Sequence, residues 1–134
     1  MIYLDHIVLN VTEVKASVDF YQKLLSASVE NWQAYIKGEV KFPSIRVSDT
    51  FIIDMFPPAM WQEQTSDSCA KNNINHFCFA VAIDQWQTIY DSLQQQGIEI
   101  IRGPGVYWGA QGNATSIYIK DPDGNEVEIR KYDQ

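Results

Sequence analysis

The chain holds two histidines, and they occupy matching octapeptides 70 residues apart. The first is Leu4-Asp5-His6-Ile7-Val8-Leu9-Asn10-Val11, and the second is Ile74-Asn75-His76-Phe77-Cys78-Phe79-Ala80-Val81. Both run apolar, polar, His, then mostly strand formers ending in Val. Imidazole is the commonest metal-ligating side chain and the one that titrates nearest neutral pH. Two in register point to an internal duplication, with a metal or acid/base site where its halves meet.

The elements that must position these histidines repeat as well. Each octapeptide reads as a strand. Helical spacing follows, through Val14, Ser17, Val18, Tyr21, Leu24 and Leu25 in the first half. Trp86, Ile89, Tyr90 and Leu93 supply it in the second, with Gly97 where a C-cap is expected. Three extended segments come next: 29–36, 44–47 and 51–56 in the first half, and 98–102, 115–120 and 126–132 in the second. Ser48-Asp49-Thr50 and the stronger Asp121-Pro122-Asp123-Gly124-Asn125 turn the last hairpins. Residues 58–73 read as a polar connector with no ordered element. Residues 103–113 read as a long Gly-rich loop whose Tyr107 and Trp108 cover a substrate, a sheet edge or a partner chain.

Strand alternation assigns faces. Ile7, Leu9 and Val11 form an apolar face for the helices and send His6, Val8 and Asn10 to the other side. Phe77, Phe79 and Val81 do the same for His76, Cys78 and Ala80. In the last strands Phe51, Ile53 and Met55 pack, leaving Ile52, Asp54 and Phe56 opposite. Val127 and Ile129 pack, leaving Glu126, Glu128 and Arg130 opposite. Each half thus offers one His and at least one carboxylate on the face away from its helices. Two imidazoles and one or two carboxylates in a cleft suit a borderline divalent metal such as Zn, Ni, Mn or Fe(II). Glu126 is expected at a solvated edge. Cys78 is expected as a small buried thiol. Tyr118, sharing a face with Ser116 and Lys120, is a candidate donor to an oxyanion.

Composition bounds the rest. At 134 residues, 46% hydrophobic and 20% charged, the chain is expected to form one globular domain over 1–134, with modules of about 1–57 and 74–134. The net charge of −7 argues against nucleic acid. No apolar run approaches the roughly 20 residues of a membrane span. Met1-Ile2-Tyr3-Leu4-Asp5 shows no basic leader, so no signal peptide is expected. Cys69 and Cys78 make no disulfide framework, which suggests a reduced, cytoplasmic setting.

The chain resembles the vicinal oxygen chelate superfamily, which includes glyoxalase I, fosfomycin-modifying enzymes, extradiol dioxygenases and bleomycin-binding proteins. The resemblance rests on the first octapeptide, on Phe20-Tyr21-Gln22-Lys23-Leu24-Leu25, on Asn75-His76, and above all on Asp121-Pro122-Asp123-Gly124-Asn125-Glu126-Val127-Glu128. It implies an α+β fold of two βαβββ modules forming a curved mixed sheet around a metal cleft. It also implies His6, His76 and Glu128 as metal ligands, with Asp54 at the position of a fourth ligand, and a homodimer. Asp54 is one methylene shorter than the family's Glu, so ligation through water or a role as base stands beside direct ligation. Asn10 stands where glutathione-using members carry an Arg, which argues against glutathione as cosubstrate.

The expected function is that of a metal-dependent lyase or isomerase acting on a small molecule chelated through vicinal oxygens. Asp54 or Glu128 would move a proton, with Tyr118 beside them. An Fe(II) extradiol-type dioxygenase is a second reading, weakened because no third His exists to serve as base. A metal-independent small-molecule or drug binder of the bleomycin-resistance kind is a third.

Overall fold

The computed structural model describes residues 1, 3–62 and 74–133. The chain divides into two units, Met1–Lys71 and Asn72–Gln134. In the first, β1 (His6–Asn10) is followed by α1 (Val14–Leu25), β2 (Ser28–Glu30), a short α2 (Trp32–Ile36), β3 (Ser44–Ser48), β4 (Phe51–Phe56) and α3 (Pro58–Trp61). In the second, β5 (Phe77–Ala80) leads to α4 (Ile83–Gln95), β6 (Arg102–Gly109), β7 (Gly112–Lys120) and β8 (Glu126–Lys131). The βαβββ order therefore occurs twice, as expected, in an α+β architecture.

Each unit builds one four-stranded mixed sheet, ordered β1-β4-β3-β2 and β5-β8-β7-β6. The first and last strands of each unit pair in parallel, and the remaining pairs are antiparallel. Parallel neighbours cannot be joined by a tight turn, so an intervening helix must carry the chain across. The helix faces are those read from the spacing. Val14, Ser17, Val18, Tyr21 and Leu24 are buried on α1, and Trp86, Ile89 and Leu93 on α4. The opposing sheet faces supply Leu9, Ile45, Ile53 and Met55 in one unit and Phe79, Ile117, Val127 and Ile129 in the other. Two indoles tie helices to strand ends: Trp86 Nε1 donates to Ile129 O and Trp61 Nε1 to Val11 O, each at 3.2 Å.

Three expectations from spacing are corrected. Residues 29–36 are not one strand. Asn31 takes a left-handed φ of 62°, which ends β2 at Glu30, and the chain turns into α2 with Tyr35 N–H donating to Asn31 O. Residues 98–101 are not strand either. The second strand of this unit, β6, begins at Arg102 and runs through what reads as a Gly-rich loop. That segment is a long β6–β7 hairpin in which Gly109 pairs with Gly112 around Ala110 and Gln111. The register shifts between Arg102 and Gly105, where Gly103 has φ +92° and a Cβ would collide with the Ser116 carbonyl oxygen. Finally, the expected connector holds the short helix α3, and its remainder, 63–73 with Cys69, lies outside the described residues.

Candidate metal and acid/base site

Strand pairing lays the candidate residues out in rows across each sheet. In unit 2 the row is Cys78–Glu128–Tyr118–Arg102, from β5 through β8 and β7 to β6. In unit 1 the corresponding row is Val8–Asp54–Ser44–Glu30. His6 opens β1, and His76 immediately precedes β5. The alternation of faces read from the sequence holds: His6, Val8 and Asn10 are exposed where Leu9 is buried, and Cys78 and Ala80 are exposed where Phe79 is buried. The carboxylates depart from a simple open face. Asp54 and Glu128 are buried, at 7% and 4% exposure.

The two imidazoles are anchored alike. His6 Nδ1–H donates to Asp5 Oδ1 at 2.8 Å, and His76 Nδ1–H donates to Asn75 Oδ1 at 2.7 Å. A fixed Nδ1–H leaves Nε2 as the lone-pair nitrogen, the orientation that a metal-ligating histidine needs. The Asp5 hydrogen bond chiefly, helped by the charges of Asp54 and Asp5, raises the His6 pKa above its ordinary 6.5. The anchoring residues escaped the sequence reading, although a polar residue precedes the His in both octapeptides.

Glu128 is the most constrained group of unit 2. Its Oε2 lies 3.3 Å from His76 Nε2. Its Oε1 is buried and accepts no hydrogen bond among the described residues, although Arg130 Nη2 stands at ion-pair distance, 3.2 Å. The Tyr118 hydroxyl and the Cys78 thiol face the same carboxylate. Burial first, then the Glu128 charge, raises the Tyr118 pKa and pushes the Cys78 thiol up to about 12. Cys78 departs from the small buried thiol expected: the residue is exposed, while its sulfur lies against Glu128 and stays protonated. The Tyr118 ring meets His76 and Tyr107 edge-on, each at 5.4 Å between centroids, and carries the Arg102 guanidinium 3.9 Å from its centre. Tyr107 thus packs on the site-bearing row, whereas Trp108 is 80% exposed.

Strand alternation alone places Arg130 on the face of Glu128. Its guanidinium is buried, with Nη2 donating to Tyr107 O and Trp108 O at 3.0 and 3.2 Å, Nη1 to the Tyr132 hydroxyl and Nε to Ser116 Oγ. It crosses Gly109 so closely that a Cβ there would occupy the place of Nη1. Glu126, expected in solvent, is one-quarter exposed and pairs with Arg102 at 3.7 Å.

In unit 1, Ser44 Oγ donates to Asp54 Oδ1 at 2.6 Å, a buried bond that orients the carboxylate. Asp54 and His6 lie on the same face, one row apart. Chemically, an anchored imidazole beside a buried carboxylate with an unbonded oxygen suits a divalent cation. Among the described residues, neither unit by itself groups three or more His, Cys, Asp or Glu side chains ready to hold a metal ion.

Similarity to known proteins runs along nearly the whole chain. Over 133 residues it is 30% identical to Virulence protein STM3117 of Salmonella typhimurium, covering 96% of this chain and 83% of that one. Over 129 residues it is 28% identical to Glyoxalase domain-containing protein RDO1 of Mycosarcoma maydis, covering 96% and 68%. An integron cassette protein from the mobile metagenome of V. cholerae has a solved structure that superposes with a TM-score of 0.72 at 25% identity, covering 98% of this chain and 96% of that one. The family pattern of the Glyoxalase/Bleomycin resistance protein/Dioxygenase superfamily matches residues 3–129, and the chain belongs to that superfamily.

Proposed function

We propose that this chain acts as a single glyoxalase-like domain, a divalent-metal-dependent lyase or isomerase that takes a small molecule through two neighbouring oxygens. His6, His76 and Glu128 are the proposed ligands. The observation that carries the reading is Glu128: a buried carboxylate with an unbonded Oε1, 3.3 Å from an imidazole whose other nitrogen is anchored. A buried carboxylate oxygen without a hydrogen bond is rare, and although the Arg130 guanidinium stands 3.2 Å away, a metal ion would give Oε1 a direct bond. When bound, such a cation supplies a Lewis acid that stabilises negative charge on a substrate oxygen.

The chain's own groups account for the remaining chemistry. Asp5 and Asn75 hold the two imidazole rings with Nε2 presented. Ser44 occupies Asp54 Oδ1, which leaves Oδ2 to accept a proton from the substrate carbon and return it to the neighbouring one. The Tyr118 phenol is kept protonated by burial and by Glu128, so it donates a hydrogen bond rather than carrying charge. Metal analysis of the purified protein and thermal melts with and without Mn(II) or Zn(II) test the assignment. Saturating metal raises the melting midpoint of the wild type, by about 2–3 kcal/mol of linkage at 100 times Kd, and His6→Ala, His76→Ala or Glu128→Ala abolishes that rise. A wild type that melts identically with and without metal defeats the reading in favour of a metal-independent binder.

A further inference from the structure

A polar cleft of about 540 Å³ lies in unit 2, lined among others by Asn75, Arg102, Lys120, Gly124, Asn125 and Glu126. Its size suits a small ligand. Its charge is unbalanced in one direction. Lys120 has no ionic partner among the described residues, and Arg102 makes only the 3.7 Å contact with Glu126. Two cations therefore face one carboxylate. The duplicated unit sharpens the point. There the position of Arg102 is held by Glu30, and the residue two beyond Ser44, matching Lys120 two beyond Tyr118, is Arg46. Those two satisfy each other, with Arg46 Nε and Nη2 donating to the Glu30 carboxylate oxygens at 2.8 and 3.1 Å. Where unit 1 closes its cation internally, unit 2 leaves cationic capacity open to a ligand.

The cleft is wired to the candidate site. Asn75 lines it and also anchors His76, while Arg102 lines it and lies over Tyr118, whose hydroxyl faces Glu128. The acidic residues of the neighbouring turn, Asp121 and Asp123, do not line the cleft. The Asp121 carboxylate already accepts from the Asp123 and Asn125 amides and from the Asn125 side chain.

We propose that this cleft binds a carboxylate of the substrate itself, through Arg102 and Lys120, so that the substrate class is a small organic acid. This rests on the reading of His76 and Glu128 as the reactive end. A net lining charge of one cation fits a monoanionic carboxylate, and the planar guanidinium matches its two oxygens.

Butyrate is the probe, with butyramide as its uncharged counterpart and inorganic phosphate as the competing anion, titrated into metal-free protein and followed by NMR. Butyrate is expected to shift the Arg102 side-chain and Asn75 signals, and butyramide is not. Arg102→Gln and Lys120→Gln each weaken butyrate about tenfold, as for loss of a charged hydrogen-bond partner. Glu126→Gln tightens it about threefold by removing the competing carboxylate, an effect that loss of folding cannot imitate. Equal binding by the Arg102→Gln/Lys120→Gln double variant and the wild type overturns the proposal, as does stronger binding of phosphate than of butyrate. Mn(II) binding followed by EPR in the same proteins reports on the metal reading separately, because neither cationic residue is among the proposed ligands.

Discussion

The two units start from one plan and solve the same electrostatic problem differently. Each buries a carboxylate in its last strand, Asp54 or Glu128, one row from a histidine. In unit 1 the carboxylate takes a serine hydroxyl, and the next row is aromatic, with Phe56 and Phe42 4.8 Å apart. In unit 2 the residue two beyond the carboxylate is Arg130 rather than Phe, and it sits beside Ser116. A longer carboxylate, a guanidinium and a phenol thus converge beside the imidazole in one unit, where the other has a serine hydroxyl on its carboxylate and an apolar patch. The lesson is that the duplication preserved the positions of the histidine and the acid, while the groups that set their reactivity diverged. A buried acid and guanidinium held as a pair, with one carboxylate oxygen lacking a hydrogen bond, cost stability, which is tolerable where a ligand or a reaction uses them.

Breaking the unit 2 arrangement has the largest expected effect. Arg130→Leu leaves Glu128 buried without its cation and should destabilise the metal-free protein by about 3–5 kcal/mol in urea unfolding. The Arg130→Leu/Glu128→Leu double variant should recover most of that loss, because replacing a buried pair by apolar residues is often close to neutral. A double variant as unstable as the single one would mean that Arg130 acts through its carbonyl contacts to Tyr107 and Trp108 instead. Unit 1 should prove more forgiving. Ser44→Ala removes a single hydrogen bond to Asp54 and should cost about 1–2 kcal/mol by the same measurement. Parity between the two effects would erase the distinction drawn between the units.

The smallest effect makes the two histidine anchors identical. Asp5→Asn reproduces in unit 1 the Asn75–His76 arrangement of unit 2. His6 loses its main source of stabilisation as a cation, so its pKa should fall back toward 6.5, as read from imidazole proton shifts in an NMR titration. The sign follows from linkage: a raised folded pKa contributes stability that is complete below the unfolded value and disappears as pH rises through the folded one. The melting difference between wild type and Asp5→Asn should therefore be greatest below pH 6.5 and vanish on the alkaline side. A His6 titration unchanged by the substitution would show that Asp54, not Asp5, holds the imidazole.

Much of the fold was legible because it is periodic. The spacing through Val14, Val18, Tyr21 and Leu24 is that of a helix and nothing else, and the alternation through Ile7, Leu9 and Val11 is that of a strand. The turn at 121–125 was legible because Asp121 and Gly124 carry its hydrogen bonds and its positive φ. Two segments misled for opposite reasons. Residues 32–36 hold strand-forming aromatics, but the left-handed Asn31 redirects the chain into a helix in which Trp32 and Tyr35 meet. Gly103 and Gly109 look like loop punctuation, yet both are small because backbone or guanidinium crowds against them. Gly103 meets the Ser116 carbonyl and Gly109 meets Arg130.

The sequence by itself determined the duplication, the helix and strand faces, and which residue types stand with the two histidines, because these depend on short-range periodicity and on identity alone. Tertiary structure decided which groups touch. Tyr118 meets Glu128, Arg102 lies over Tyr118, and Arg130 threads across Gly109 only because strands distant along the chain pair in one register. That register is set by burial on the helix-facing side of the sheet, where a slip of one residue would turn every apolar side chain outward. The reactive face inherits its neighbours from packing on the other one.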